Sequence, residues 1–385
     1  MRKSVFAFLL ALSLFLCATV TMAETPPVGE APEWVRYGES IRASDIRRED
    51  YQYLASWLNE HAKPPQEYVI GLFDRHQVVI VGEAHNVKEH KDFVIDLIPR
   101  LYHEAGVRCI GWEFSRHTDN QRLERLVTAP DFDYQAVLDF ARGQLAGEFN
   151  SKEHWDMVEA VWRLNRQLEP SQEKMRFVGL DMDVDLAQWT IIERTRAKGS
   201  AEFQHMLAKV LRRDRTMAEQ VKKEIIDKDQ KGLVFVGRCH DFTHYQFPKH
   251  VNFGRDIMGS LLHREFEDRV FQVWPSSGIF PIVEKVMEIK GHEPLGFDLY
   301  ASPFANILTP SSWYDAPDVP LSRVARGYVY LGPRANLHSN TAIKGFVTDS
   351  MFEKHKDFYQ TCFGRPFKNA AEVDRYLQEH RWPSP

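Results

Sequence analysis

Short apolar runs alternate with helical periodicity through the middle of the chain. Val78-Val79-Ile80-Val81 is continuously apolar and β-branched, which predicts a strand buried on both faces of a parallel sheet. Phe93, Val94, Leu97, Ile98 and Leu101 then recur at helical spacing, with Pro99 marking a kink or a break. Val107 to Trp112 reads as a second strand. Trp155, Val158, Trp162, Asn165 and Leu168 share one helical face. Met175 to Leu180 predicts a third strand. Phe203, Leu207, Val210, Met217, Val221 and Ile225 mark one long amphipathic helix, and Leu233 to Val236 a fourth strand. This alternation predicts an α/β fold with a mainly parallel central sheet and helices on both faces.

The residues with chemical potential sit just after the strands. Gly82-Glu83-Ala84-His85 comes after the first, Glu113 after the second, Asp181-Met182-Asp183 after the third and Gly237-Arg238-Cys239-His240 after the fourth. Parallel strands bring their carboxyl ends to one edge, where sites of open α/β sheets lie. A single acid there would read as a helix cap; four such segments in succession point to a shared site.

Each residue type suggests a role. Glu83 and His85, two apart on extended chain, point the same way, so the carboxylate can orient the imidazole as a general base. Glu113 stands next to bulky Trp112; apolar neighbours would raise its pKa and suit proton transfer. His240 and His244 are four apart, a metal-ligand spacing if they share a helix and uninformative if they lie in a loop. Asp214 falls in register with the apolar stripe of its helix and so needs a buried partner, for which Arg213 and Arg215 are at hand. Such an arginine would either make a structural ion pair or hold an anionic group in the pocket. No G-x-S-x-G elbow, Walker A loop or G-x-G-x-x-G is present, so serine-esterase, nucleotide and nicotinamide chemistry lack a signal.

Composition narrows this further. The chain has 385 residues, 43% apolar and 27% charged, with a formal net charge of −5. That excludes disordered and collagen-like classes and disfavours nucleic acid as a partner. Arg2 and Lys3 precede an apolar run to Leu16, and Thr21-Met22-Ala23 offers a small residue at the cut. Residues 1–23 therefore read as a signal peptide cleaved near Ala23, which implies a periplasmic or secreted protein without an integral membrane segment. Cys17 raises the question of lipidation, but bulky Leu16 precedes it. Cys109, Cys239 and Cys362 remain, an odd number that gives no disulfide framework; Cys109 and Cys239 sit in apolar runs and read as inert thiols. Residues 24–65 read as an N-terminal arm and helix, the first part loose. A single α/β domain spans 66–385, its motifs within 75–245 and an extension over 246–385 that completes sheet and pocket.

GEAH at 82–85, WEF at 112–114, FVGLDMD at 177–183 and VGRCH at 236–240 resemble the erythromycin esterase-like, ChaN-like and Tiki superfamily. HWDMVEAVWRLN at 154–165 and RDRTMAEQV at 213–221 lean toward the esterase branch. The resemblance covers roughly residues 75–245, and its motifs are short; their order is the specific feature. It implies a hydrolytic site centred on His85 and Glu113, with His240 opposite and water activated without a required metal. The Tiki branch implies instead metal-dependent peptide cleavage, here through His85, Glu113 and His240; the ChaN branch implies haem binding. The esterase pattern departs at His244, one residue later than the second histidine many members carry. The expectation is an exported hydrolase of an ester, lactone or amide, acting on a small-molecule or peptide substrate and needing no cofactor. His85 would be the base, Glu83 its orienting group, and Glu113 and His240 the partners in proton transfer and oxyanion stabilisation. Asp181, Arg213, Asp214 and His244 would support the pocket. A divalent metal or haem marks the alternatives.

Overall fold

The computed structural model describes residues 30–144, 150–247, 254–308 and 318–380. The expected signal peptide and Cys17 lie outside them. Seven strands form the central sheet: β1 (Val78–Glu83), β2 (Val107–Arg116), β3 (Arg176–Asp181), β4 (Lys231–Gly237), β5 (Val270–Pro275), β6 (Leu295–Asp298) and β7 (Gly327–Tyr330). Their spatial order is β3-β2-β4-β1-β5-β7-β6. All neighbours pair in parallel except β6 against β7. Every residue of β1 and of β5 is buried, Gln272 and Glu83 included, as central strands covered on both faces require. The antiparallel edge strand β6 carried no readable signal: it is only four residues long.

Strand β4 inserts between β1 and β2, whereas β5 pairs on the other side of β1. Connections therefore diverge at β1 and β4, and the crevice beyond their carboxyl ends is where such sheets bind ligands. The register aligns Glu83 with Gly237 and Trp112 with Phe235. Between Trp112 and Arg116 the pairing of β2 with β3 shifts, an irregularity that falls at Glu113 and can re-aim its side chain.

The helix Lys152–Gln167 is anchored by its tryptophan. Trp155 meets Trp112 edge-on at 5.2 Å between ring centroids, both buried. Asn165, on the same face, donates to Val127 and Met175 carbonyls and accepts from the Met175 N–H, so it seals the entry to β3.

Three local expectations change. Pro99 does not end its helix, which runs from Lys88 to His103. The long amphipathic helix is two, Ala201–Val210 and Arg213–Val221, with a wide turn over Lys222–Ile226 after them. Apolar spacing runs across the break because Val210 and Met217 stand two helical turns apart, so periodicity does not register it. The arm is also not loose where it is described. Glu33–Arg36 makes a helical turn that buries Trp34, and Ile41–Arg42 pairs in parallel with Ile307–Leu308. Among the described residues, no helix is long and apolar enough to cross a membrane.

Candidate active site

A cavity of about 570 Å³ opens at the carboxyl ends of β1, β2 and β4. Glu83, His85, Glu113, Arg213 and His240 all line it. Two buried carboxylates organise its floor.

The first is Glu83, the last residue of β1, 1% exposed. Its Oε1 lies 2.5 Å from His85 Nδ1 and 3.4 Å from His154 Nε2. Its Oε2 meets the ammonium of Lys91, which is itself fully buried. Burial would raise the Glu83 pKa, but Lys91 and then His85 outweigh it and hold it well below the usual carboxylate range. Burial likewise opposes a charge on His85, and Glu83 overrides it, so the imidazole titrates above its ordinary value. Burial and Lys91 together push His154 down to about 4, so it is neutral and donates to Glu83 through Nε2–H.

Lys91 also donates to the carbonyls of Ala84 and His85 at 2.9 Å and of Val87 at 3.0 Å. It therefore fixes the whole turn that carries His85. His90 adds to this: its Nδ1 accepts from the Ala84 N–H and its Nε2 donates to the Ser276 carbonyl. Burial drops its pKa to about 3, consistent with a neutral ring in both contacts. From the other side, the Asn340 side chain donates to the His85 carbonyl and its backbone N–H to the Asn86 carbonyl.

The second carboxylate is Glu113. Its Oε2 accepts from the Gly237 N–H at 2.5 Å and its Oε1 from Arg213 Nη2 at 2.9 Å. The apolar environment expected to raise its pKa is present as burial. However, His240 and then Arg213 outweigh it and hold Glu113 well below the usual range. Glu113 is thus held in its ionised form by fixed partners.

Arg213 also forks onto Asp181, with both contacts at 2.9 Å. This is possible because the helix restarts at Arg213 itself. Asp214 is partnered not by Arg213 or Arg215 but by His240, whose Nδ1 donates to its Oδ1 at 2.8 Å. Arg215 instead pairs with Asp256 at 2.6 Å on the surface. Burial disfavours charge on His240, but Asp214, Cys239 and Glu113 outweigh it and raise its pKa well above the ordinary value. Its Nε2–H faces Glu113 Oε1 at 3.2 Å.

Gly237 is required by close approach. A Cβ there would stand 2.6 Å from His85 Cε1, 2.7 Å from its Nε2 and 3.3 Å from Glu113 Oε2. The Cε1–Nε2 edge of the imidazole thus lies directly over the end of β4.

Two expected residues behave differently. His244 does not line the cavity; it lies in a loop with its ring 4.7 Å from that of His263. Cys239 does not sit in the apolar interior: it lines the cavity, and His240 and Arg255 overcome the effect of burial to lower its thiol to about 7. Cys109 is buried as expected, its thiol pushed up to about 12 by burial.

For a metal, the trio His85, Glu113 and His240 fits poorly. Both Glu113 oxygens are engaged by Gly237 and Arg213, and His240 Nδ1 is committed to Asp214. Among the described residues, the ligand atoms that gather within 4.8 Å belong to Glu83, His85 and His154. There the Lys91 ammonium already supplies the positive charge against Glu83.

Lys91, His154 and Asn340 were missed by sequence reasoning. His154 opens the tryptophan-bearing motif, and Lys91 lies about one and a half helical turns beyond GEAH; neither type at that position signals a site. Asn340 comes from a loop joined to the site only by tertiary pairing, through bridges of Val87 with Ser339 and Ser151 with Ala342.

No protein-family model matches this chain, and no curated protein matches it. Solved structures do. One is a Bacillus cereus protein at 14% identity and TM-score 0.54, matched over 76% of this chain and 99% of its own. A succinoglycan biosynthesis protein matches at 11% identity and TM-score 0.54, over 77% of this chain and all of its own. An erythromycin esterase mutant in its open conformation matches at 14% identity and TM-score 0.47, over 71% of this chain and 93% of its own. These are similarities of fold alone.

Proposed function

We propose that this chain is an exported hydrolase of an ester, lactone or amide, with His85 as the general base on water. The observation that carries the reading is the contact of His85 with ionised Glu83 beneath a side chain that remains 41% exposed at the cavity. Glu83 accepts the Nδ1–H, which leaves Nε2 as the basic nitrogen. Nε2 takes a proton from water as the oxygen attacks the carbonyl carbon. The same proton then passes to the leaving oxygen or nitrogen as its bond to carbon breaks. His240, kept cationic by Asp214, supplies positive charge toward the developing oxyanion. Glu113, Asp181 and Arg213 hold β2, β3 and β4 in register beneath it.

The test is an ester, lactone and amide panel with His85→Ala. General-base removal is expected to cost roughly a hundredfold or more in kcat/KM, and a loss below about tenfold would sink the assignment. The convergence of Glu83, His85 and His154 favours a second reading, a metal-dependent hydrolase or peptidase. Metal and iron content per chain separates them. A stoichiometric divalent ion whose chelation abolishes turnover supports the second reading, and haem iron without turnover would replace both with a carrier.

A further inference from the structure

Glu83 Oε1 is shared by two imidazoles from distant parts of the chain. His85 stands in the turn after β1, and His154 in the first turn of the helix Lys152–Gln167. One short segment, residues 338–343, binds both of these turns, although it comes from the extension beyond 245.

On one side it meets the turn that carries His85. Val87 and Ser339 form an antiparallel bridge. The Lys88 N–H donates to the His338 carbonyl at 2.9 Å, and the Asn340 N–H to the Asn86 carbonyl at 3.3 Å. The Asn340 side-chain amide donates to the His85 carbonyl, which also accepts from Lys91 at 2.9 Å. Both lone pairs of that carbonyl are therefore used. Glu89 pins the start of the segment, accepting from the His338 N–H at 2.9 Å and meeting its ring at 2.6 Å.

On the other side it meets the turn that carries His154. Ser151 and Ala342 form a second antiparallel bridge. The Lys152 N–H donates to the Thr341 carbonyl and the Ile343 N–H to the Asn150 carbonyl, both at 2.8 Å. The Thr341 N–H reaches both oxygens of Glu153, at 2.9 and 3.1 Å. Glu153 is 3% exposed and directly precedes His154. The segment thus spends its backbone on two neighbours, as the middle strand of a sheet does, and Ser339, Asn340 and Ala342 form part of the cavity wall.

We infer that residues 338–343 are a strap that holds His85 and His154 in place on Glu83, with Asn340 as a positioning residue for His85. The strap keeps the His85 Nδ1–H on the carboxylate while the ring stays turned to the cavity. Its kinetic consequence rests on the hydrolase reading: a base displaced by about 1 Å can lose on the order of a hundredfold in rate.

The experiment uses the full chain. Asn340→Asp keeps the size of the side chain and replaces the donor to the His85 carbonyl by an acceptor. With the ester, lactone or amide that the parent cleaves best, kcat is expected to fall about tenfold or more while KM stays within about twofold. A second readout needs no turnover. In protein labelled with nitrogen-15 at histidine, the His85 Nδ1–H gives a proton resonance sheltered by Glu83, assigned by its loss in His85→Ala. Asn340→Asp should shift or broaden it; a merely structural role would lower the urea midpoint and leave the resonance where it was. Glu153→Gln weakens the other anchor and should move the His154 Nε2–H resonance, which keeps the test intact if Asn340→Asp fails to fold. Arg163→Gln, on an exposed face of the same helix, is the control and should match the parent. A change in KM with kcat unaltered makes Asn340 a ligand contact and overturns the positioning role, as do resonances unmoved in both variants. Resonances that move as expected in a chain that cleaves no ester, lactone or amide leave the strap standing and remove the hydrolase reading instead.

Discussion

Glu83 at the end of β1 and Glu113 near the end of β2 flank β4 at the same sheet edge, each 1% exposed, and each ionised against the cost of burial. They differ in what neutralises them. Glu113 is closed in by a backbone N–H, a forked arginine and a cationic histidine, all inside the protein. Glu83 is held from beneath by Lys91, and its other oxygen supports an imidazole that still reaches the cavity. On the proposed hydrolase reading, Glu113, saturated by fixed partners, is scaffold, and Glu83, which spends an oxygen on half-exposed His85, takes part in the chemistry. Position at a strand end therefore does not assign the role; the partners do.

The comparison breaks most visibly at Lys91. Lys91→Met leaves Glu83 charged and three carbonyls without their donor, and removing one partner of a buried pair costs about 3–5 kcal/mol. Urea unfolding should show that loss; a change under about 1 kcal/mol would mean the ammonium is not what holds Glu83. Gly237→Ala should come next. The new methyl collides with the His85 ring, and the strain of overpacking, about 1–3 kcal/mol, falls on the base itself. Turnover should drop more than stability does; equal losses would argue that the ring is not poised over β4.

Glu83→Gln sharpens the distinction through pH. His85 must be neutral to act, so kcat/KM should rise with pH through a midpoint above the ordinary histidine value of about 6.5. Removing the Glu83 charge removes what stabilises the imidazolium, so the midpoint should fall. An unmoved midpoint would take the pH dependence away from His85. The smallest effect belongs to Asp241, which is fully buried beside Gly82 and whose carboxyl burial holds well above the usual range. Folded, it keeps a proton that the unfolded chain releases near about pH 4, so stability falls as pH rises from there toward its folded value. Asp241→Asn should flatten that slope and cost little at neutral pH. A steeper slope in the variant would contradict the burial argument.

Strand–helix alternation, the parallel sheet and the convergence of Glu83, His85, Glu113, Asp181 and His240 were legible in the sequence. Buried parallel strands must be apolar throughout, and their polar ends must meet at one edge. The Glu83–His85 contact could be read from their alternate placement on extended chain. The ends of strands, the break that frees Arg213, and the arrival of Lys91, His154 and Asn340 were not legible. Each depends on contacts between distant segments that leave no period in the chain. The charge states went the same way. Strand order and residue type alone settle which titratable groups come to the edge of the sheet. Which of them are locked and which stay available depends on packing between distant elements. Burial alone would have neutralised both carboxylates, and it is the buried cations brought from other elements that keep them charged.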